Sequence, residues 1–154
     1  MVHFLWIEDE PDTVRGFREE LEELIKALGS DCEIVLVGCK NEAQSLLKDE
    51  VWDCVLLDPM IPDNPENGKA YVINRSAGAE LLTEYHRVVH PKKERPFRVI
   101  AFTGLINPTR VSQLQNQLTE EDLYIEKTST IGEFIDDVKP AMAALVSGKD
   151  SKNE

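Results

Sequence analysis

Cys54-Val55-Leu56-Leu57-Asp58-Pro59 is the stretch that decides the fold. Four apolar residues in an unbroken run read as a short strand buried on both faces, because a strand wet on one side would alternate apolar with polar. Asp58 and Pro59 end the run abruptly. A strand covered on both faces belongs to a parallel sheet flanked by helices, so the chain should hold similar runs separated by helical segments.

It does, in both directions. Upstream lie Phe4-Leu5-Trp6-Ile7, ended by Glu8-Asp9-Glu10-Pro11, and Ile34-Val35-Leu36-Val37. Downstream lie Val99-Ile100-Ala101-Phe102, ended by Thr103-Gly104, and Leu123-Tyr124-Ile125, ended by Glu126-Lys127. Between them, Val14, Phe17, Leu21, Leu24 and Leu28 recur at helical spacing, with Asp12 as the expected N-cap and Gly29 as the stop. Asn41 is expected to open a second helix carrying Ala43, Leu46 and Leu47, and Ala79 to Val89 reads as the third. Pro108 suits the first turn of a fourth, with Val111, Leu114 and Leu118 as its stripe. Ile131, Phe134, Ile135, Val138, Met142 and Leu145 mark a fifth, with Pro140 a candidate kink inside it. Five strands alternating with five helices predict an α/β protein, a doubly wound flavodoxin-like (βα)5 fold with a parallel five-stranded sheet of order 2-1-3-4-5. One domain over 1–146 is expected, followed by a polar tail, 147–154, without fixed structure.

Composition narrows the function. The chain has 154 residues, 42% hydrophobic and 30% charged, and a net charge of -12 from 17 Lys and Arg against 29 Asp and Glu. At this length about 70% of the unfolded chain's surface is buried on folding, enough for one core. The negative charge disfavours phosphate backbones, so nucleic acid is not an expected partner. Cys32, Cys39 and Cys54 are odd in number and irregularly spaced, which argues against a disulfide framework. No cysteine pair has zinc-ligand spacing that His3, His86 or His90 could complete, and buried thiols are the better reading. No secretory signal or membrane-length apolar stretch is present, so a cytoplasmic location away from the membrane is expected.

The ionisable residues collect where the strands end: Glu8 and Asp9 after the first, Asp58 after the third, Thr103 after the fourth and Lys127 after the fifth. Ligands of doubly wound sheets bind outside the carboxyl ends of the strands, at the switch point between strands one and three in this order. Three carboxylates there repel one another and raise one another's pKa values. Mg2+, a hard cation suited to oxygen ligands, relieves that repulsion. A carboxylate is also a competent phosphoryl acceptor. The transferring group needs positive charge and donors around its oxygens, which Mg2+, Lys127 and Thr103 would supply. Singly, an Asp at a strand end is ordinarily a turn residue and a Lys a solvated charge. Their placement on one sheet edge favours chemistry.

These blocks resemble the receiver domain of bacterial response regulators, the stand-alone chemotaxis-receiver-like type of two-component signalling, over nearly the whole chain. Leu5 to Pro11 looks like the family's first strand and acidic pair. Val55 to Pro62 looks like the phosphoacceptor strand, with proline four residues after the aspartate. Val99 to Gly104 looks like the switch-threonine strand, and Tyr124-Ile125-Glu126-Lys127 like the switch aromatic and lysine. The resemblance implies that Asp58 takes a phosphoryl group from a sensor histidine kinase or phosphotransfer protein. It implies Glu8, Asp9, Asp58 and the backbone carbonyl of Met60 as Mg2+ ligands, Lys127 as a phosphoryl contact, and Thr103 and Tyr124 as the switch pair. Such a domain is not an enzyme beyond catalysing its own phosphorylation and dephosphorylation, and it signals to an effector protein by binding.

Some positions depart from the family pattern. Glu8 stands where aspartate is commoner. Pro59 removes a backbone N–H beside the acceptor. Thr128 replaces the usual proline, leaving open whether the Lys127-Thr128 peptide is cis or trans. The connection from Asp63 to Ala77 is unusually long. It holds turn chemistry at Asp63 to Gly68 and an apolar, β-prone run at Ala70-Tyr71-Val72-Ile73. That run could cover the site as a lid, with Tyr71 and Ile73 packed inward, or stay exposed as a docking patch, or the whole could be a floppy insertion. Met60 and Leu105 fall on the family's two variable positions beside the phosphoryl group, where neither can orient water. A phosphatase of the haloacid-dehalogenase type needs an acid two residues after its nucleophile, and Met60 cannot serve. No Gly-rich turn follows the first strand, which excludes a dinucleotide site. A receiver-like interaction module that works without phosphate remains the alternative.

Overall fold

The computed structural model describes residues 1–65, 72–86, 97–104 and 107–152, without the side chains of 149–152. The five apolar runs are the five strands of one parallel sheet: β1 (Val2–Ile7), β2 (Cys32–Val37), β3 (Cys54–Leu57), β6 (Arg98–Thr103) and β7 (Leu123–Glu126). Their order is β2-β1-β3-β6-β7, the predicted 2-1-3-4-5 once two short extra strands, β4 (Ile61–Pro62) and β5 (Ile73–Asn74), are counted. The register pairs Ile7 with Leu57 and Leu57 with Ala101, so β1 and β3 end level while β6 runs two residues further, to Thr103.

Alternate strand residues point to opposite faces, and each face has its own core. Phe4, Trp6, Leu56, Ile100 and Phe102 meet α1 (Arg15–Ala27) and α5 (Ile131–Lys152) through Leu21, Ile25, Phe134, Val138 and Met142. Trp6, Phe17, Phe102 and Phe134 interlock there with ring centroids 4.9–6.5 Å apart, at tilted, edge-on and stacked angles, favourable arrangements for aromatic quadrupoles. Leu5, Ile7, Val55, Leu57, Val99 and Ala101 face α2 (Lys40–Asp49), α3 (Ala77–Tyr85) and α4 (Pro108–Gln115) through Ala43, Leu47, Leu81, Leu82 and Leu114.

Several boundaries differ from expectation. Asp12 does not cap α1: Pro11 starts a 3-10 turn (Pro11–Val14), and the exposed Asp12 instead pairs with Arg15 at 2.9 Å. Gly29 does end the helix, at a φ of 91° that favours glycine. Helix α3 begins at Ala77, two residues before the expected start; residues 87–89 of its expected end lie outside the described residues. Helix α5 runs through Pro140 to Lys152, into the segment expected to lack structure. The Lys127-Thr128 peptide is trans.

The Asp63–Ala77 connection is structured at both ends. Ile61 pairs with Asn74 and Pro62 with Ile73 in an antiparallel hairpin. The Asn41 N–H donates to the Asp63 carbonyl at 3.0 Å, and Asn74 Nδ2 donates to Asp63 Oδ1 at 2.8 Å. Ala77 is fully buried in α3. A floppy insertion is therefore corrected for these stretches. Val72 is 73% exposed, whereas Ile73 is half-buried. Tyr71 and Leu105 lie outside the described residues.

At the opposite edge of the sheet, the His86 and Asp122 side chains are buried and lie 2.6 Å apart, and Asp122 also accepts the N–H groups of Val99 and Thr119, each at 2.7 Å. Burial would raise the Asp122 pKa, but the hydrogen bonds from His86, Thr119 and Val99 outweigh it and hold the carboxyl below its ordinary range. This pair ties the end of α3 to β6 and β7. Cys39 and Cys54 are buried cysteines outside any disulfide, and Cys32 is a half-buried one.

Candidate functional site

Two backbone hydrogen bonds create the site. The Asp58 N–H donates to the Ile7 carbonyl at 2.9 Å, and the Glu8 N–H to the Val37 carbonyl at 2.9 Å. They extend the ladders one residue past the strands and bring the first acids after β1 and β3 to one place. The Lys127 N–H donates to the Thr103 carbonyl at 2.9 Å, which does the same for β6 and β7.

Side chains complete the convergence. One carboxylate oxygen each from Glu8, Asp9 and Asp58 lies within 4.8 Å of the others, the one group of this kind among the described residues. Lys127 Nζ bridges two of them, 2.8 Å from Asp58 Oδ2 and 2.8 Å from Glu8 Oε2. Its contact with Glu8 is a close ion pair without hydrogen-bond alignment, since Glu8 Oε2 is buried and lacks a hydrogen-bond partner. The other Asp58 oxygen accepts the Met60 N–H at 3.0 Å, and Glu8 Oε1 accepts the Glu10 N–H at 3.2 Å. Glu8 and Asp58 are 2% and 6% exposed, so one ammonium serves two nearly dry carboxylates.

The electrostatics follow from that burial. Desolvation first, and the Asp58 charge second, push Glu8 up to about 7 despite Lys127. The same two causes raise Asp9. Burial alone would lower Lys127, but its hydrogen bond to Asp58 and its close ion pair with Glu8 outweigh it and raise the pKa of the ammonium. The donor set is all oxygen, carries excess negative charge and includes a buried oxygen short of donors. It therefore fits a hard divalent cation such as Mg2+, held by Glu8, Asp9 and Asp58.

The cavity over these groups is about 300 Å3 and is also lined by Glu10, Met60, Ile73 and Arg75. A larger groove of about 520 Å3 between α3 and α4 lies beside Glu80, Thr83 and Glu84, without such convergence. Thr103 is 1% exposed at the end of β6, and Tyr124 is half-buried, packed against the α2–α3–α4 core, its hydroxyl pKa raised by burial and by Glu126. Sequence reasoning missed Arg75 and the hairpin that delivers it. The sole signal was the turn-forming Asn74-Arg75-Ser76 after a β-prone residue.

No family model matches the chain, and no curated protein matches it. Solved structures do. A CheY-like response regulator receiver domain from Methanospirillum hungatei aligns over 96% of this chain and 98% of its own at 16% identity and a TM-score of 0.63. The non-phosphorylated HemR receiver domain from Leptospira biflexa aligns over 92% and 94% at 18% identity and 0.61. A response regulator from Burkholderia pseudomallei, solved with a phosphorylated aspartic acid, a calcium ion and citrate, aligns over 100% and 76% at 16% identity and 0.57. The fold is that of receiver domains.

Proposed function

We propose that this chain is a response regulator receiver that takes a phosphoryl group on Asp58, dependent on Mg2+, from a phosphohistidine of a sensor kinase or phosphotransfer protein. The observation that carries this reading is the Lys127 ammonium 2.8 Å from Asp58, with Glu8 and Asp9 completing an oxygen cluster beside the same carboxylate. A bound Mg2+ would neutralise charge on the acids and on the incoming phosphoryl oxygens. Glu8, Asp9 and Asp58 would hold it, with the Met60 carbonyl as a further ligand. An Asp58 oxygen attacks phosphorus, the N–P bond breaks, and the histidine nitrogen leaves with the electron pair and takes a proton. No proton leaves Asp58, so no general base is required. Lys127 then stabilises the oxygens of the acyl phosphate. Thr103 moves to donate to the phosphoryl group, and Tyr124 turns inward behind it, altering the surface an effector protein reads.

The relative with a phosphorylated aspartic acid and a cation supports the reading by analogy of fold. The test is intact mass after incubation with acetyl phosphate, with Mg2+ and with a chelator. A single phosphoryl adduct is expected only with Mg2+ and only when Asp58 is present; an equal adduct in Asp58→Asn would refute the assignment.

A further inference from the structure

Pro59 leaves the acceptor without one neighbouring N–H, yet the hairpin after it carries a cation to the same cavity. Arg75 follows β5 directly, and its neighbours on both sides are fastened. Asn74 pairs with Ile61 in the hairpin, and its side chain donates to Asp63 at 2.8 Å and accepts the Ser76 N–H at 2.9 Å. Ser76 Oγ accepts from Arg110 Nη1 of α4 at 3.1 Å, and the Gly78 N–H donates to the Pro59 carbonyl at 3.0 Å. The short turn carrying Arg75 is therefore held against the strand exit of the acceptor. Arg75 is exposed and lines the cavity together with Glu8, Asp9, Glu10, Asp58 and Lys127, and no ion pair joins it to a described residue.

We propose that Arg75 is a second cationic contact for the phosphoryl group on Asp58, its guanidinium supplying donors on the side where Pro59 has none. The inference rests on the reading of Asp58 as phosphoacceptor. The chemistry suits it. Lys127 is already shared between two carboxylates, whereas a guanidinium has five donors in a planar fork that matches phosphate oxygens and stays charged at any working pH. The cavity holds four carboxylates against Lys127 and Arg75, so Arg75 is also placed to attract a dianionic phosphodonor. The long connection between Asp58 and α3 then has a purpose: it folds back as a hairpin and delivers a side chain that a short turn could not.

The test uses the full chain with saturating Mg2+ and a titration of acetyl phosphate, read as the rate of adduct formation by intact mass. Arg75→Ala is expected to raise the half-saturating acetyl phosphate concentration roughly three- to tenfold, the scale of a partly exposed charged hydrogen bond. Arg75→Lys should recover part of this, and Arg75→Glu should be worse than Ala. Mg2+ affinity, followed separately by thermal shift, should be equal or tighter in Arg75→Ala, because a cation beside the acids is gone. An unchanged acetyl phosphate dependence would overturn the proposal. So would a parallel loss of Mg2+ binding, which would mark Arg75 as a structural support of the hairpin. Absence of any Asp58-dependent adduct in the unaltered protein is a different failure: it would reject the phosphoacceptor reading, and this proposal with it.

Discussion

The Gly78 N–H donates to the Pro59 carbonyl at 3.0 Å, and a Cβ placed on Gly78 would lie 2.6 Å from Pro59 Cα. The first turn of α3 thus rests directly on the residue after the acceptor, at a distance only glycine permits. Gly78→Ala must push α3 and Pro59 apart. We expect a folded protein destabilised by about 1–3 kcal/mol, as for other overpacked sites, and slower to gain an adduct at Asp58. Urea denaturation and adduct kinetics check the two effects separately.

Stability without metal should depend on pH through Glu8. Its folded pKa of about 7 lies above the ordinary 4.5. The neutral form is therefore favoured by folding, and this contribution is complete below pH 4.5 and lost as pH rises through 7. At about 1.4 kcal/mol per pH unit the loss is at most about 3.5 kcal/mol. Glu8→Gln should flatten the fall in stability between pH 5 and 8 in chelator, as measured by denaturant midpoints. A pH profile identical to the unaltered protein would remove Glu8 as its source.

Loss of Lys127 leaves Glu8 and Asp58 facing each other without their shared ammonium. Lys127→Ala is expected to cost about 1–3 kcal/mol at pH 8, below the full cost of breaking a buried pair because the lysine is 29% exposed. At pH 5 the cost should shrink as Glu8 protonates. Thermal melts at the two pH values in chelator provide the comparison.

Met60 lines the cavity with a side chain that neither donates nor accepts strongly. Met60→Asn should shorten the phosphoryl lifetime several-fold by orienting water, read as adduct decay after the phosphodonor is removed. An equal or longer lifetime would contradict the view that Met60 keeps water from being oriented at the acyl phosphate.

The acid cluster was legible in the sequence because topology alone assembles it. Glu8 and Asp58 follow runs buried on both faces, Lys127 follows the half-buried edge strand β7, and a parallel sheet brings those ends together. The hairpin was not, since two-residue strands such as Ile61–Pro62 have no periodicity to read. The start of α3 was placed late because Gly78 resembles a helix breaker in sequence, whereas here it is the residue that lets the helix approach Pro59. Asp12 misled for a similar reason: capping chemistry is local, but the 3-10 turn begun at Pro11 moved the helix start to Arg15.

The central claim concerns one bond, the acyl phosphate at Asp58. Borohydride reduces an acyl phosphate to an alcohol and leaves ordinary carboxylates intact. The direct measurement is therefore borohydride trapping after acetyl phosphate and Mg2+ treatment, followed by peptide mass mapping. Homoserine is expected at position 58 and at no other acid; conversion at another Asp or Glu, or none in a sample whose intact mass shows the adduct, would contradict the assignment of Asp58.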